Sequence, residues 1–139
     1  MFSDLSSEFG GRVASRLRNE QVIWLTTVGR TGTPQPNPVW FLWDGEAFLI
    51  YTQPTAYKLR NLRHNPRVAL HFDSGEDGED VIVFTGTAIL DESAPLAYNN
   101  PPYLEKYRDG IASIEMTPES MGGSYSVAIR VKPDKVRGF

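Results

Sequence analysis

The sequence predicts a mainly β fold with some α structure. Residues 1–139 read as one domain, a small antiparallel barrel of six strands with short flanking helices. Three observations predict it. Six short runs are rich in β-branched and aromatic residues. Turn chemistry at residues 29–34, 44–45 and 73–80 separates runs at hairpin spacing. Only short helical patterns lie between them, so the strand–helix alternation of a parallel sheet is missing. No linker, repeat or low-complexity tract divides the chain.

The elements follow in order. Residues 3–18 carry Leu5, Phe9, Val13 and Leu17 four apart, one apolar helical stripe that Ser3 can cap, and Gly10-Gly11 weakens its middle enough to separate two turns. Residues 22–28, VIWLTTV, read as a buried strand, and GRTGTP after them as a turn. Residues 39–43, VWFLW, are the second strand, Asp44-Gly45 its hairpin turn, and residues 47–52 the third, completing an antiparallel meander. Residues 68–72 and 81–90 are the fourth and fifth strands, joined by the acidic turn DSGEDGED. Gly86 within the fifth signals a bulge or a close backbone approach. Residues 94–122 are mixed. Pro101-Pro102 interrupts one possible helix, Thr117-Pro118 starts another and Gly122-Gly123 ends it. Residues 124–131 alternate as the last strand.

Composition excludes several function classes. No cysteine is present, which removes disulfides, thiolate metal sites and a cysteine nucleophile, and suits a cytoplasmic protein. The first 20 residues lack an apolar signal core, and no run approaches the ~20 apolar residues that span a bilayer. Lys and Arg total 14 against 17 Asp and Glu, a formal net charge of −3. That balance argues against a nucleic-acid partner.

One segment departs from this acidity. From Ala47 to Phe72 there is no Asp or Glu, while Lys58, Arg60, Arg63 and Arg67 crowd its middle. Leu59 and Leu62 give a short helix a narrow apolar face, and Asn65-Pro66 ends it. Thr55 can cap the helix start, with Lys58 in the first turn. Unpaired amides and a cation together favour a phosphate. The competing reading is a solvated basic face whose Arg63 and Arg67 complement the helix dipole.

The order strand, Tyr51-Thr52, loop, Tyr57-Lys58, helix, Asn65-Pro66, strand, preceded by Asn37-Pro-Val-Trp-Phe, resembles the flavin-binding split β-barrel family. That family includes pyridoxamine-phosphate-oxidase-like proteins and the actinobacterial deazaflavin-dependent reductases. The resemblance is close over residues 20–90 and loose elsewhere. Its most specific part, YTQPTAYKLRNLRHNPRVALHF, is most similar to the coenzyme F420-dependent branch, where Lys-x-Arg-Asn-Leu-Arg-x-x-Pro-Arg is a familiar pattern. The resemblance implies an FMN-binding split barrel that forms a homodimer with cofactor at the interface. It implies that Asn37, Pro38, Val39 and Trp40 lie along the cofactor ring. Tyr51 and Thr52 would contact its ribityl-phosphate part, Tyr57 and Lys58 would hold the phosphate, and Asn61 would lie nearby.

Two departures from the pyridoxamine phosphate oxidases argue against that reaction. Asn37-Pro38 stands where they carry a basic side chain, and the chain stops at Lys135-Val-Arg-Gly-Phe139 where they have a Trp- and Arg-rich substrate grip. The missing basic residue weakens an FMN-type phosphate grip, whereas Arg60 and Arg63 suit the longer oligoglutamate tail of F420. The expected function is an F420-dependent oxidoreductase moving a hydride between the deazaflavin and a small organic acceptor. The alternatives are an FMN-dependent oxidoreductase on the same barrel and a flavin or deazaflavin carrier without turnover.

Other constellations carry little. Trp24 and Trp43 read as packing residues, unlike Trp40, which the resemblance puts beside the ring. His64 reads as a helix end and His71 as a strand face, and with two histidines no metal site assembles. The acidic turn lies between strands rather than helices, so it is not an EF-hand. No nucleophile elbow or phosphate loop is present. No acid or base residue is assigned, since in such enzymes the cofactor carries the chemistry.

Overall fold

The computed structural model describes residues 7–139. Its elements are α1 (Glu8–Asn19), β1 (Val22–Val28), β2 (Pro34–Trp40), β3 (Leu42–Trp43), β4 (Phe48–Thr52), α2 (Tyr57–His64), β5 (Arg67–His71), β6 (Ile82–Leu90), α3 (Pro101–Ser113), α4 (Pro118–Ser124) and β7 (Val127–Gly138), with a 3₁₀ turn at Ala97–Asn99. Seven strands form one antiparallel sheet in the order β2-β1-β5-β6-β7-β4-β3. The fold is a split β-barrel.

The strand count differs from six because the expected strand at 39–43 is two strands. β2 and β3 are separated in sequence by Phe41 alone, yet they occupy opposite edges of the sheet. The chain can only pass between them if the sheet curls until its edges meet. The expected meander over 22–52 is therefore cut: β1 pairs with β2, and β3 with β4, but β4 goes on to β7. β2 also begins at Pro34, inside the expected turn. Its prolines 34, 36 and 38 sit at alternate positions opposite Val28, Thr26 and Trp24. On an edge strand such positions direct the missing N–H away from the ladder, so three prolines are tolerated.

The barrel interior is aliphatic and phenylalanine-rich. Phe41, Phe48 and Phe84 are 0 % exposed and meet Ile23, Leu70, Ile129 and Val131 there. Helix α1 adds Val13 and Leu17, and α2 adds Leu59 and Leu62. Ser7 caps α1 by accepting the Gly10 N–H at 2.9 Å. The expected cap Ser3 and the stripe residue Leu5 lie outside the described residues. Gly10-Gly11 does not divide the helix, whose cap and buried stripe outweigh the roughly 1 kcal/mol cost of each glycine. Arg12 and Arg16 then tie α1 to Asp80 of the acidic β5–β6 turn.

Gly86 behaves as expected on both counts. The β6–β7 register shifts between Thr85 and Gly86, and a Cβ on Gly86 would lie 2.8 Å from the Pro133 Cα. This bulge lets β7 run past the expected end at 131 to Gly138, with Asp134 as the extra residue bonding Arg67 at 2.6 Å and Thr85 at 3.1 Å.

Residues 91–125 form a second layer over the outer face of β4 and β7. Phe48 and Ile50 of β4 face the interior, whereas Leu49 and Tyr51 face Tyr103, Tyr107 and Ile111 of α3. Every β4 residue is consequently buried. Pro101-Pro102 starts α3 rather than interrupting a helix, because the first turn needs no proline N–H and Asn100 caps it. Thr117 caps α4 in a reciprocal capping box with Ser120, and α4 continues through both expected terminal glycines to Ser124.

Candidate ligand-binding cleft

The edge crossing at Phe41 leaves backbone groups that no strand can pair. Helix α3 supplies the partners. The Phe41 N–H donates to the Tyr107 hydroxyl at 2.7 Å, and that hydroxyl lies 2.9 Å from the Phe41 carbonyl and 2.6 Å from the Gln21 carbonyl. Lys106 Nζ donates to the Phe41 carbonyl at 2.6 Å and lies 3.6 Å from the Phe41 ring centre. Burial lowers the Lys106 pKa to about 8, partly opposed by Glu20. Trp40, one residue before the crossing, stacks on Tyr107 at 4.6 Å and 7°. The clasp therefore fixes the end of β2.

A cleft of about 380 Å³ opens beside this clasp, within the size range of small-molecule sites. β2 contributes Pro38, Val39 and Trp40, β4 contributes Tyr51 and Thr52, and α2 contributes Lys58. Val22, Tyr103, Ile114, Met121 and Tyr125 complete the lining. Lys58 donates to Thr52 Oγ1 at 3.4 Å, a long contact. Burial alone lowers its pKa, and among the described residues no carboxylate pairs with it. An anion bound there would reverse that cost.

Helix α2 starts one residue later than expected. Its N-cap is Ala56 and not Thr55, and no side chain caps it. Ala56 offers no side-chain oxygen, and its carbonyl takes the Leu59 N–H at 3.1 Å, so the Tyr57 and Lys58 amides are the ones open to another acceptor. The cation, the amides and the apolar strand edge together fit a phosphorylated heterocycle.

The remaining expected residues are placed differently. Asn61 is buried and donates to Thr27 Oγ1 at 2.9 Å and Gln35 Oε1 at 2.6 Å, so it pins α2 to β1 and β2. Tyr57 is 72 % exposed, with the Arg60 guanidinium 5.3 Å from its ring centre. Asn37 is exposed on β2. Neither lines the cleft. The Tyr51 hydroxyl donates to the Pro95 carbonyl at 2.6 Å and accepts from Asn100 at 3.0 Å, so its ring serves as wall. Trp24 stacks on His71 and bonds Asp73, and Trp43 packs on Phe48, both as packing residues. His64 ends α2 and His71 lies on β5. Among the described residues no cluster could hold a metal ion, and no helix is long and apolar enough to cross a membrane.

Sequence reasoning missed Val22, Tyr103, Ile114, Met121 and Tyr125 as cleft residues. Tyr103 and Tyr107 at i, i+4 on α3 were the one available signal.

Comparison with known proteins supports the same architecture. The family model of the pyridoxamine 5'-phosphate oxidases matches residues 9–139. A search of curated proteins finds no match. Among solved structures, an F420 reductase shares 25 % identity and a TM-score of 0.65, covering 88 % of this chain and 94 % of that one. A conserved hypothetical protein of Mycobacterium tuberculosis shares 23 % identity and a TM-score of 0.71, covering 94 % and 82 %. HutZ, a heme storage protein from Vibrio cholerae, shares 14 % identity and a TM-score of 0.64, covering 94 % of each chain. With the match running from α1 to the last residue, the chain belongs to the pyridoxamine 5'-phosphate oxidase family.

Proposed function

We propose that this protein is an oxidoreductase that binds coenzyme F420 and transfers a hydride between the deazaflavin and a small organic acceptor. One observation carries the reading. Lys58, a partly desolvated cation without a carboxylate partner, shares a cleft with the Pro38–Trp40 edge. The likeness to an F420 reductase supports it.

Lys58, Thr52 and the Tyr57 and Lys58 amides at the start of α2 would hold the phosphate, with Tyr57 at the helix start. Asn37, Pro38, Val39 and Trp40 would border the ring. Asn61 would act through the position of α2. Arg60 and Arg63, exposed on the same helix, would meet a longer anionic tail. Bound there, the deazaflavin supplies the hydride chemistry that side chains cannot. The protein's share is binding, orientation and exclusion of water. Trp40, held by Tyr107 and with Gly110 against its edge, gives the ring a rigid neighbour. A second copy of the chain would close the cleft, whose lip carries the exposed Val22 and Ile114. The absence of cysteine fits a cytoplasmic location.

Titration of the purified protein with F420 and with FMN tests the reading. F420 is expected to bind, and Lys58→Ala to weaken it by about 10- to 100-fold, the span of a charge-assisted hydrogen bond, without lowering the melting temperature. Tight FMN binding with no F420 binding would overturn the deazaflavin assignment in favour of an FMN oxidoreductase. Bound cofactor that no acceptor can oxidise would make the protein a carrier.

A further inference from the structure

Among the described residues, the Tyr103 hydroxyl is the buried side-chain polar atom without a hydrogen-bond partner. Tyr103 is 0 % exposed, and it belongs to the cleft wall together with Met121 and Tyr125. An unpaired buried hydroxyl carries a desolvation cost that phenylalanine in the same place would avoid. Its neighbours show the ordinary arrangement. Tyr51 spends its hydroxyl on Pro95 and Asn100, and Tyr107 spends its own on Phe41 and Gln21. The Tyr103 ring is held edge-on to Tyr51 at 4.8 Å and tilted against Tyr107 at 4.8 Å, so its direction is fixed by packing. Burial raises its pKa, so the group keeps its proton and acts as a donor.

We infer that the Tyr103 hydroxyl donates a hydrogen bond to a carbonyl oxygen or ring nitrogen of the heterocycle seated in the cleft. The inference rests on the reading of this cleft as the deazaflavin site. Lys58 fixes the anionic end of the ligand, and one contact leaves the ring free to rotate. Tyr103 supplies a second, directional contact on the wall formed by the helical layer. Tyr103 is fully covered in the ligand-free protein, so a side chain of the same wall would have to yield for the ring to reach the hydroxyl, and Met121 is unbranched and adaptable. A polar group otherwise unpaired also discriminates: a ring without an acceptor there leaves the donor unsatisfied.

The test is Tyr103→Phe in the full chain, with two readouts. Fluorescence titration with F420 is expected to show affinity about 5- to 20-fold weaker than wild type. The melting temperature of the ligand-free variant is expected to be unchanged or higher, because the unsatisfied hydroxyl is gone. Weaker binding without any loss of stability is a combination that a merely structural hydroxyl would not produce. Unchanged affinity overturns the inference, and so does a ligand-free variant that melts several degrees lower or fails to fold. Loss of affinity in Lys58→Ala but not in Tyr103→Phe would sink this inference alone. A wild-type protein that binds neither F420 nor FMN would sink the site reading and this inference together.

Discussion

The two sides of β4 differ in chemistry. Inside the barrel, Phe48 and Ile50 meet Phe41, Phe84 and Ile129, with no side-chain polar atom among them. Outside, Leu49 and Tyr51 meet Tyr103, Tyr107 and Met121. Here nearly every ring carries a hydroxyl that must find a partner, and one does not. The interior is a dry core whose task is stability. The outer layer is amphipathic, holds the edge crossing at Phe41, and forms part of the cleft wall. The contrast teaches that the two faces of one strand can meet different surroundings, an apolar core on one side and a hydroxyl-rich layer beside the cleft on the other.

The sharpest way to break this contrast is a truncation in the dry core. Phe84 is fully buried, 5.1 Å from Phe48 and 6.0 Å from Phe72 between ring centres. Phe84→Ala is expected to cost about 3–5 kcal/mol through lost burial and the cavity left behind. Urea unfolding would measure it, and a loss under 1 kcal/mol would show that the barrel is not the stable half.

Tyr107→Phe probes the other side and is expected to cost about 1–3 kcal/mol, since it leaves the buried Phe41 N–H without its acceptor. Because Trp40 stacks on the same ring, its fluorescence is expected to shift as well. A stability loss with unchanged tryptophan emission would show that the clasp does not govern the end of β2.

Sequence pattern exposes the dry side far better than the amphipathic one. β1, β5 and β6 alternate buried and less buried residues, as one covered face requires. β2 stays hidden because PQPNPVW reads locally as turn, and only its edge position reconciles prolines with a ladder. The break at Phe41 is invisible in the continuous run VWFLW, because it comes from barrel closure and not from local propensity. The cleft is half legible. Lys58 and the β2 edge stand out through charge and resemblance, whereas Tyr103, Met121 and Tyr125 look like ordinary core residues. Nothing in their spacing tells that the wall they build faces a cleft.

Lys106 gives a smaller, pH-dependent handle on the clasp. Its folded pKa of about 8 lies below its ordinary value of 10.5. Between those values the unfolded chain binds more protons than the folded one, so this group's contribution to stability rises with pH. Below pH 8 the penalty for burying the cation is fully present, and above 10.5 it is gone. Partial exposure limits it to about 1–2 kcal/mol. Comparison of wild type with Lys106→Met isolates the effect. The stability of wild type relative to the variant should improve from pH 8 towards 10, and a flat difference would mean that the ammonium is adequately solvated at the clasp.

The smallest expected effect compares the starts of α4 and α2. Thr117 accepts the Ser120 N–H at 3.1 Å and Ser120 returns a bond to the Thr117 N–H at 2.9 Å, so Thr117→Ala should cost about 1 kcal/mol. Thr55 makes no such bond, and Thr55→Ala should leave stability within about 0.5 kcal/mol of wild type. Both threonines precede short helices, so a propensity argument would treat them alike. What separates them is that α4 is closed by its own side chains, whereas α2 leaves its Tyr57 and Lys58 amides for an outside acceptor. Equal costs at the two positions would mean that α2 is capped in solution by Thr55, and its start would then be a poorer phosphate site than its geometry indicates.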